Sequence, residues 1–162
     1  MEHTIVMGLQ RVGTEITMEQ IDDLFERAKA ARTFAYAPYS KFAVGAALVS
    51  ASGKNFIGCN VENGAYSPSN CAERTALFKA ISEGERQFTR IGIIGGYTNP
   101  DTIVPNCTPC GVCLQALSEF CDPDKFLVLL FSGDGSVRIH SLRELLPYGF
   151  NFMGIGMVMG HL

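Results

Sequence analysis

Arg90-Ile-Gly-Ile-Ile-Gly95 and Phe126-Leu-Val-Leu-Leu-Phe131 are short apolar runs, the kind that form strands covered on both faces. Between them Leu114, Leu117 and Phe120 recur at helical spacing, and Pro123 ends that run. A strand, a helix and a second strand in this order demand a sheet with helices packed on it. Towards the N-terminus, Phe42–Val49 and Phe56–Val61 read as a hairpin around a Gly-containing turn. Before them, Thr17 and Gln20 have capping-box spacing, and Ile21, Leu24, Phe25, Ala28 and Ala31 give an apolar face. A second helix runs from Cys71 to Gly84, and Thr108 is expected to cap the third, with Pro109 at its first position. Towards the C-terminus a turn over residues 132–136 leads into a short strand through His140, then a brief helix stopped by Pro147. The expected fold is α/β: a three-layer α/β/α sandwich around a mixed sheet of about five strands, in a single domain over residues 1–162.

Composition narrows the function. With 47% hydrophobic and 18% charged residues the chain is built to fold, and its 162 residues suit one domain. Thirteen Lys and Arg against sixteen Asp and Glu leave a net charge of −3, without the basic face that a nucleic-acid binder needs. No apolar run approaches the ~20 residues of a membrane span. Residues 1–6 carry neither the basic nor the apolar region of a secretory signal, so a cytoplasmic protein is expected. Six cysteines in a reducing compartment point to metal or chemistry rather than disulfides.

Of these, Cys110 and Cys113 have chelate spacing, and Cys71 opens another helix. Helix N-termini favour thiolates. Three converging thiolates would hold zinc with a fourth position open, the catalytic rather than the structural pattern. Glu73 supplies a proton carrier two residues from Cys71, and Arg74 a cation to offset the negative charge of the cluster. The bland readings are specific too. Asn70 and Glu73 have the spacing of a capping box, which would make Glu73 structural. Cys110–Cys113 could be a redox pair or half a zinc ribbon, whose fourth ligand would have to come from Cys107, Cys59, Cys121 or a histidine. Cys59 reads as packed core, and His3, His140 and His161 as bystanders.

Cys71-Ala-Glu73 with Pro109-Cys-Gly-Val-Cys113 resembles the signature of the zinc deaminases. The match is closer to the small, homotetrameric cytidine deaminases. Tyr39-Ser-Lys-Phe42 with Val44-Gly-Ala-Ala-Leu48, Gly58-Cys-Asn60-Val-Glu62-Asn63, Cys71-Ala-Glu-Arg74 and Leu145-Leu-Pro147 with Phe150 are similar to that family's blocks, in order, over about residues 21–150. The resemblance implies one Zn²⁺ per subunit on Cys71, Cys110 and Cys113, with Glu73 as proton shuttle and Arg74 beside the thiolates. It implies that Asn60 and Glu62, alternating along a strand end, grip the ribose 3′-hydroxyl. Phe42 and Phe150 would line the base, Phe150 from a neighbouring subunit, and Gly64 and Tyr66 would belong to a loop reaching a neighbour's site. On pattern alone both phenylalanines would instead be core. The backbone N–H of Ala72 would bind O2 of the base, and loop carbonyls near Thr108 its amine.

The activity so implied is hydrolysis of cytidine and 2′-deoxycytidine to uridine and 2′-deoxyuridine in pyrimidine salvage. The partners would be a small nucleoside and three further copies of the chain, with no nucleic acid and no membrane. Alternatives are a deaminase of another cytosine nucleoside, a polynucleotide deaminase, which the acidic charge disfavours, and a non-catalytic zinc scaffold. Three departures stand out. Leu114 replaces the family's usual Arg, Gly64 its usual Ala, and the apolar tail 151–162 diverges.

Overall fold

The computed structural model describes residues 3–7, 15–99 and 102–150. The divergent tail and His161 lie outside them. In chain order the elements are β1 (Thr4–Met7), α1 (Met18–Arg32), β2 (Phe42–Ser50), β3 (Asn55–Cys59), α2 (Ala72–Ser82), β4 (Phe88–Tyr97), α3 (Gly111–Ser118), β5 (Leu127–Phe131), β6 (Ser136–Ser141) and α4 (Leu142–Leu145). The sheet has the order β1-β6-β5-β4-β2-β3. β4 pairs parallel with β5 and β1 parallel with β6, while the other neighbours are antiparallel. It is therefore mixed, as expected, but holds six strands rather than about five. The additional strand is β1, four residues long, whose pairing with β6 joins two distant parts of the chain and leaves no local pattern to read.

Two cores explain the layers. Along β5, Val128 and Leu130 pack with α2 and α3 on one face, while Leu127, Leu129 and Phe131 pack with α1 on the other. Successive strand side chains point to opposite faces, so an unbroken apolar run is what a central strand needs. His3 is buried on the α1 side, with its ring centroid 4.6 Å from that of Phe25, and plays no part at the cysteines. α1 begins with the expected capping box between Thr17 and Gln20, and α2 ends before Gly84, whose φ is +95°. The first helices lie very close to the sheet. A Cβ on Gly58 would come 2.4 Å from the backbone N of Ala76, so only glycine allows α2 this near to β3.

Three sequence expectations shift. β3 stops at Cys59, and Asn60–Glu62 lie beyond it, with Val61 bridging Tyr36 and Asn70. Cys59 on this edge strand is half-buried rather than core. α3 starts at Gly111, so Thr108 is not its cap and buried Pro109 precedes the helix. The chain turns at Asn106 (φ +57°), and Cys110 stays extended with ψ 163°. That conformation carries its sulfur towards Cys71.

Candidate active site

Cys71 and Cys110 are the N-caps of α2 and α3, and neither side chain caps its helix. The positive ends of two helices therefore meet at the sulfurs, which favours thiolate there. Both helices pack on one face of the sheet, so residues 39 positions apart in sequence come together. The sulfurs of Cys71 and Cys110 are 3.8 Å apart, and those of Cys110 and Cys113 3.5 Å. Tetrahedral zinc with Zn–S bonds of about 2.3 Å requires sulfurs about 3.8 Å apart. The cluster of three fits that ion.

The electrostatics agree with a site made for a cation. The Cys71 thiol is lowered to about 5, first by the hydrogen bond from Cys113, then by Arg74 and Cys110. Cys113 is raised in turn, because the neighbouring thiolate holds its proton in place. Three thiols this close lose their protons together only when a metal replaces them. The guanidinium of Arg74 lies beside both Cys71 and Cys113, while Leu114 is buried in the α2–α3 core. Cys107, raised to about 12 by burial and by the charge of Glu73, remains a neutral thiol outside the cluster.

Glu73 is 4% exposed and its carboxyl is raised to about 7, chiefly by burial and further by the Cys71 charge. The capping-box reading does not hold. Asn70 Nδ2 donates to Thr75 Oγ1 at 3.1 Å, and Cys71 takes the cap position. Glu73 is thus a buried carboxyl poised between its two protonation states, next to a metal-type cluster, with no capping duty.

From Cys71 a cavity of about 420 Å³ opens between Tyr39, Ser40, Asn60, Glu62 and Tyr66. Glu62 Oε2 accepts from the N–H groups of Tyr39 (2.9 Å) and Ser40 (3.2 Å). The Ser40 hydroxyl, followed by these amides, holds the carboxyl below its usual range. Both amides reach the same oxygen, Oε2. Asn60 is differently employed: its Oδ1 accepts from Val44 N–H and its Nδ2 donates to Phe42 C=O, each at 2.8 Å. Phe42 is half-buried, with its ring 5.3 Å from Tyr97 and close to Gly95 and Cys107. Tyr66 has φ +60° and stands exposed 6.4 Å from Tyr39, whose hydroxyl lies over Gly64. Ala72 is fully buried as the first residue of α2. Among the described residues the non-glycine positive φ angles fall at Lys41, Tyr66 and Asn106, all in loops of this site.

Phe150 is 58% exposed and so is not core. Its N–H donates to Gln115 Oε1 (3.1 Å) and its C=O accepts from Gln115 Nε2 (2.5 Å), which ties it to the helix bearing Cys113. Sequence reasoning missed Ser40, Cys107 and Gln115. Ser40 and Gln115 act through hydrogen bonds to residues 22 and 35 positions away, and no spacing in the sequence betrays them.

Comparison with known proteins decides the family. The sequence model for the cytidine and deoxycytidylate deaminase zinc-binding region matches residues 18–129. The chain belongs to the cytidine and deoxycytidylate deaminase family. Within it, cytidine deaminase from Sporosarcina psychrophila is 42% identical over 81% of this chain and 91% of its own length. The structure of a cytidine deaminase from Burkholderia pseudomallei is 48% identical with a TM-score of 0.71, covering 80% of this chain and 98% of that one. One from Mycobacterium tuberculosis is 32% identical with a TM-score of 0.66, covering 80% and 96%. The region that defines this deaminase family is thus the one that contains Cys71, Glu73, Cys110 and Cys113. No helix among the described residues is long and apolar enough to cross a membrane.

Proposed function

We propose that this deaminase hydrolyses cytidine and 2′-deoxycytidine to the uridines, with one zinc per subunit, in cytoplasmic pyrimidine salvage. The observation that carries the reading is Glu73, a carboxyl with a pKa of about 7 beside three clustered thiols. Zinc on Cys71, Cys110 and Cys113 would supply Lewis acidity and an activated water in its fourth position. Glu73 takes one proton of the attacking water and delivers it to N3 of the base; after attack at C4 it takes the remaining hydroxyl proton and passes it to the amine, so that the C4–N bond breaks, ammonia leaves and the C4 carbonyl forms. A carboxyl near neutrality suits both duties, since it must accept and release a proton in one turnover. Arg74 offsets the negative charge of the thiolates.

Phe42 walls the base, and the N–H of Ala72 and the carbonyls near Thr108 take its polar edge. Glu62, held at Oε2 by the loop amides, accepts the sugar hydroxyl, and Asn60 lines the cavity beside it. Its negative charge repels phosphate, so the substrate is a nucleoside. Exposed Phe150 and Tyr66 and the neighbouring Gly64 suit sites shared between subunits of a homotetramer.

The test compares kcat/KM of the zinc-loaded protein for cytidine, cytidine 5′-monophosphate and cytosine. Cytidine should lead both by tenfold or more, as a lost charge-assisted hydrogen bond costs about 1.5–3 kcal/mol. Equal rates on the monophosphate or the free base would contradict the role of Glu62.

A further inference from the structure

Both backbone groups of Phe150 are taken by one side chain. Its N–H donates to Gln115 Oε1 at 3.1 Å, and its C=O accepts from Gln115 Nε2 at 2.5 Å. The orientation of the amide is forced, because the N–H needs the oxygen and the carbonyl needs the nitrogen. Nε2 also donates to Ser118 Oγ at 3.1 Å, and that hydroxyl donates to Gln115 C=O at 2.7 Å. Gln115 thus pairs with Phe150 as a neighbouring strand would. The chain reaches this clamp from α4 through Pro147, Tyr148 and Gly149, where the Gly149 N–H donates to Leu146 C=O at 3.3 Å. With N–H and C=O both engaged, Phe150 keeps only its two side-chain torsions, yet the residue is 58% exposed. The clamp fixes where the ring starts from, and its own chain leaves the ring uncovered.

We infer that Gln115 is a positioning residue for Phe150, presenting its ring to the base site of a neighbouring subunit. The place of Gln115 on α3 makes the link. Cys110 caps this helix and Cys113 lies in its first turn, two residues before Gln115. Two residues are about 200° around a helix, so Cys113 and Gln115 face opposite ways. The sulfurs turn towards Cys71, while the amide turns towards Phe150. One helix accordingly serves two sites, its own through the thiols and a neighbour's through Phe150. This inference rests on the reading, given above, that sites are shared between subunits.

The test measures zinc content and kcat/KM for cytidine in Gln115→Ala, Gln115→Glu, Phe150→Ala and Gln115→Ala/Phe150→Ala proteins. It repeats the assay on mixed oligomers of each single variant co-expressed with Glu73→Gln. Gln115→Glu keeps the acceptor for Phe150 N–H but sets a carboxylate oxygen against its C=O, so it reports even if Gln115→Ala unfolds. Both Gln115 variants should keep one zinc per chain and lose about 10-fold or more, since misplacing a group by about 1 Å can cost 10²-fold. Gln115→Ala should add little to Phe150→Ala, the mark of one residue acting through the other. Glu73→Gln subunits still clamp their own Phe150, so mixing should raise each Gln115 variant several-fold above the sum of the separate proteins. Loss of zinc or fully additive losses would overturn the inference. So would a Gln115 defect that Glu73→Gln subunits leave in place while relieving that of Phe150→Ala. If Phe150→Ala itself gains nothing from mixing, the shared-site reading fails and with it the destination of the ring. The double variant then still decides whether Gln115 acts through Phe150.

Discussion

At the scale of single residues, the chemistry depends on Glu73 being buried where a carboxylate is costly. Its pKa in the fold, about 7, exceeds the ordinary 4.5, so the protonated form is the one that the fold favours. This stabilisation is present below pH 4.5 and is lost as pH rises through 7. Metal-free Glu73→Gln, which carries no charge to bury, should therefore be more stable than its parent at pH 8. The gap should reach about 3 kcal/mol and close towards pH 4.5, since one pKa unit is worth about 1.4 kcal/mol. Chemical denaturation of the two metal-free proteins across that range measures it; a gap independent of pH would contradict the burial argument. Cysteines divide equally sharply. Replacing Cys71, Cys110 or Cys113 by Ala should abolish stoichiometric zinc, whereas Cys59→Ala, Cys107→Ala and Cys121→Ala should retain it, as metal analysis would show. Zinc retained without Cys110 would redirect the site to other ligands.

At the scale of elements, two helices begin at cysteines and end up side by side because small residues let them. Gly58 is the clearest case, with Ala72 O and Ala76 N only 2.5 and 2.4 Å from where a Cβ would stand. Gly58→Ala should force α2 off β3, cost about 1–3 kcal/mol by thermal or denaturant melting, and weaken zinc binding because α2 begins at Cys71. Unchanged stability would mean that the contact is looser than it looks. The same scale shows what was legible. Apolar runs such as 126–131 and the Thr17 capping box name their own structures, and the paired motifs at 71–74 and 109–113 name the site. β1 escaped because four residues pairing with a strand 132 positions away have no local signature. The α3 start moved because Cys110 obeys the needs of a sulfur cluster rather than of a helix cap. Asn60 was legible as a polar residue at a strand end, but its bonds to Val44 and Phe42 depended on where β3 stopped.

At the scale of the whole molecule, the sheet separates two cores and gathers the chemistry on one side of it. α1 closes the far face, while α2 and α3 pack on the near one, where the loop after β3 and the start of α2 line the cavity. Phe150, clamped by Gln115 yet 58% exposed, gives this arrangement an outward-facing aromatic. Mixing Glu73→Gln subunits with Phe150→Ala subunits should restore part of the lost activity if sites are shared, and a fully active monomer would contradict the sharing.

All of these levels converge on Glu73. The most direct measurement is cytidine turnover, followed by loss of ultraviolet absorbance and by ammonia release, in parent and Glu73→Gln proteins each shown to carry one zinc per chain. The parent should convert cytidine to uridine, and the variant, folded and zinc-loaded, should be slower by at least ~10²–10⁴-fold. Near-normal turnover in zinc-loaded Glu73→Gln would contradict the account.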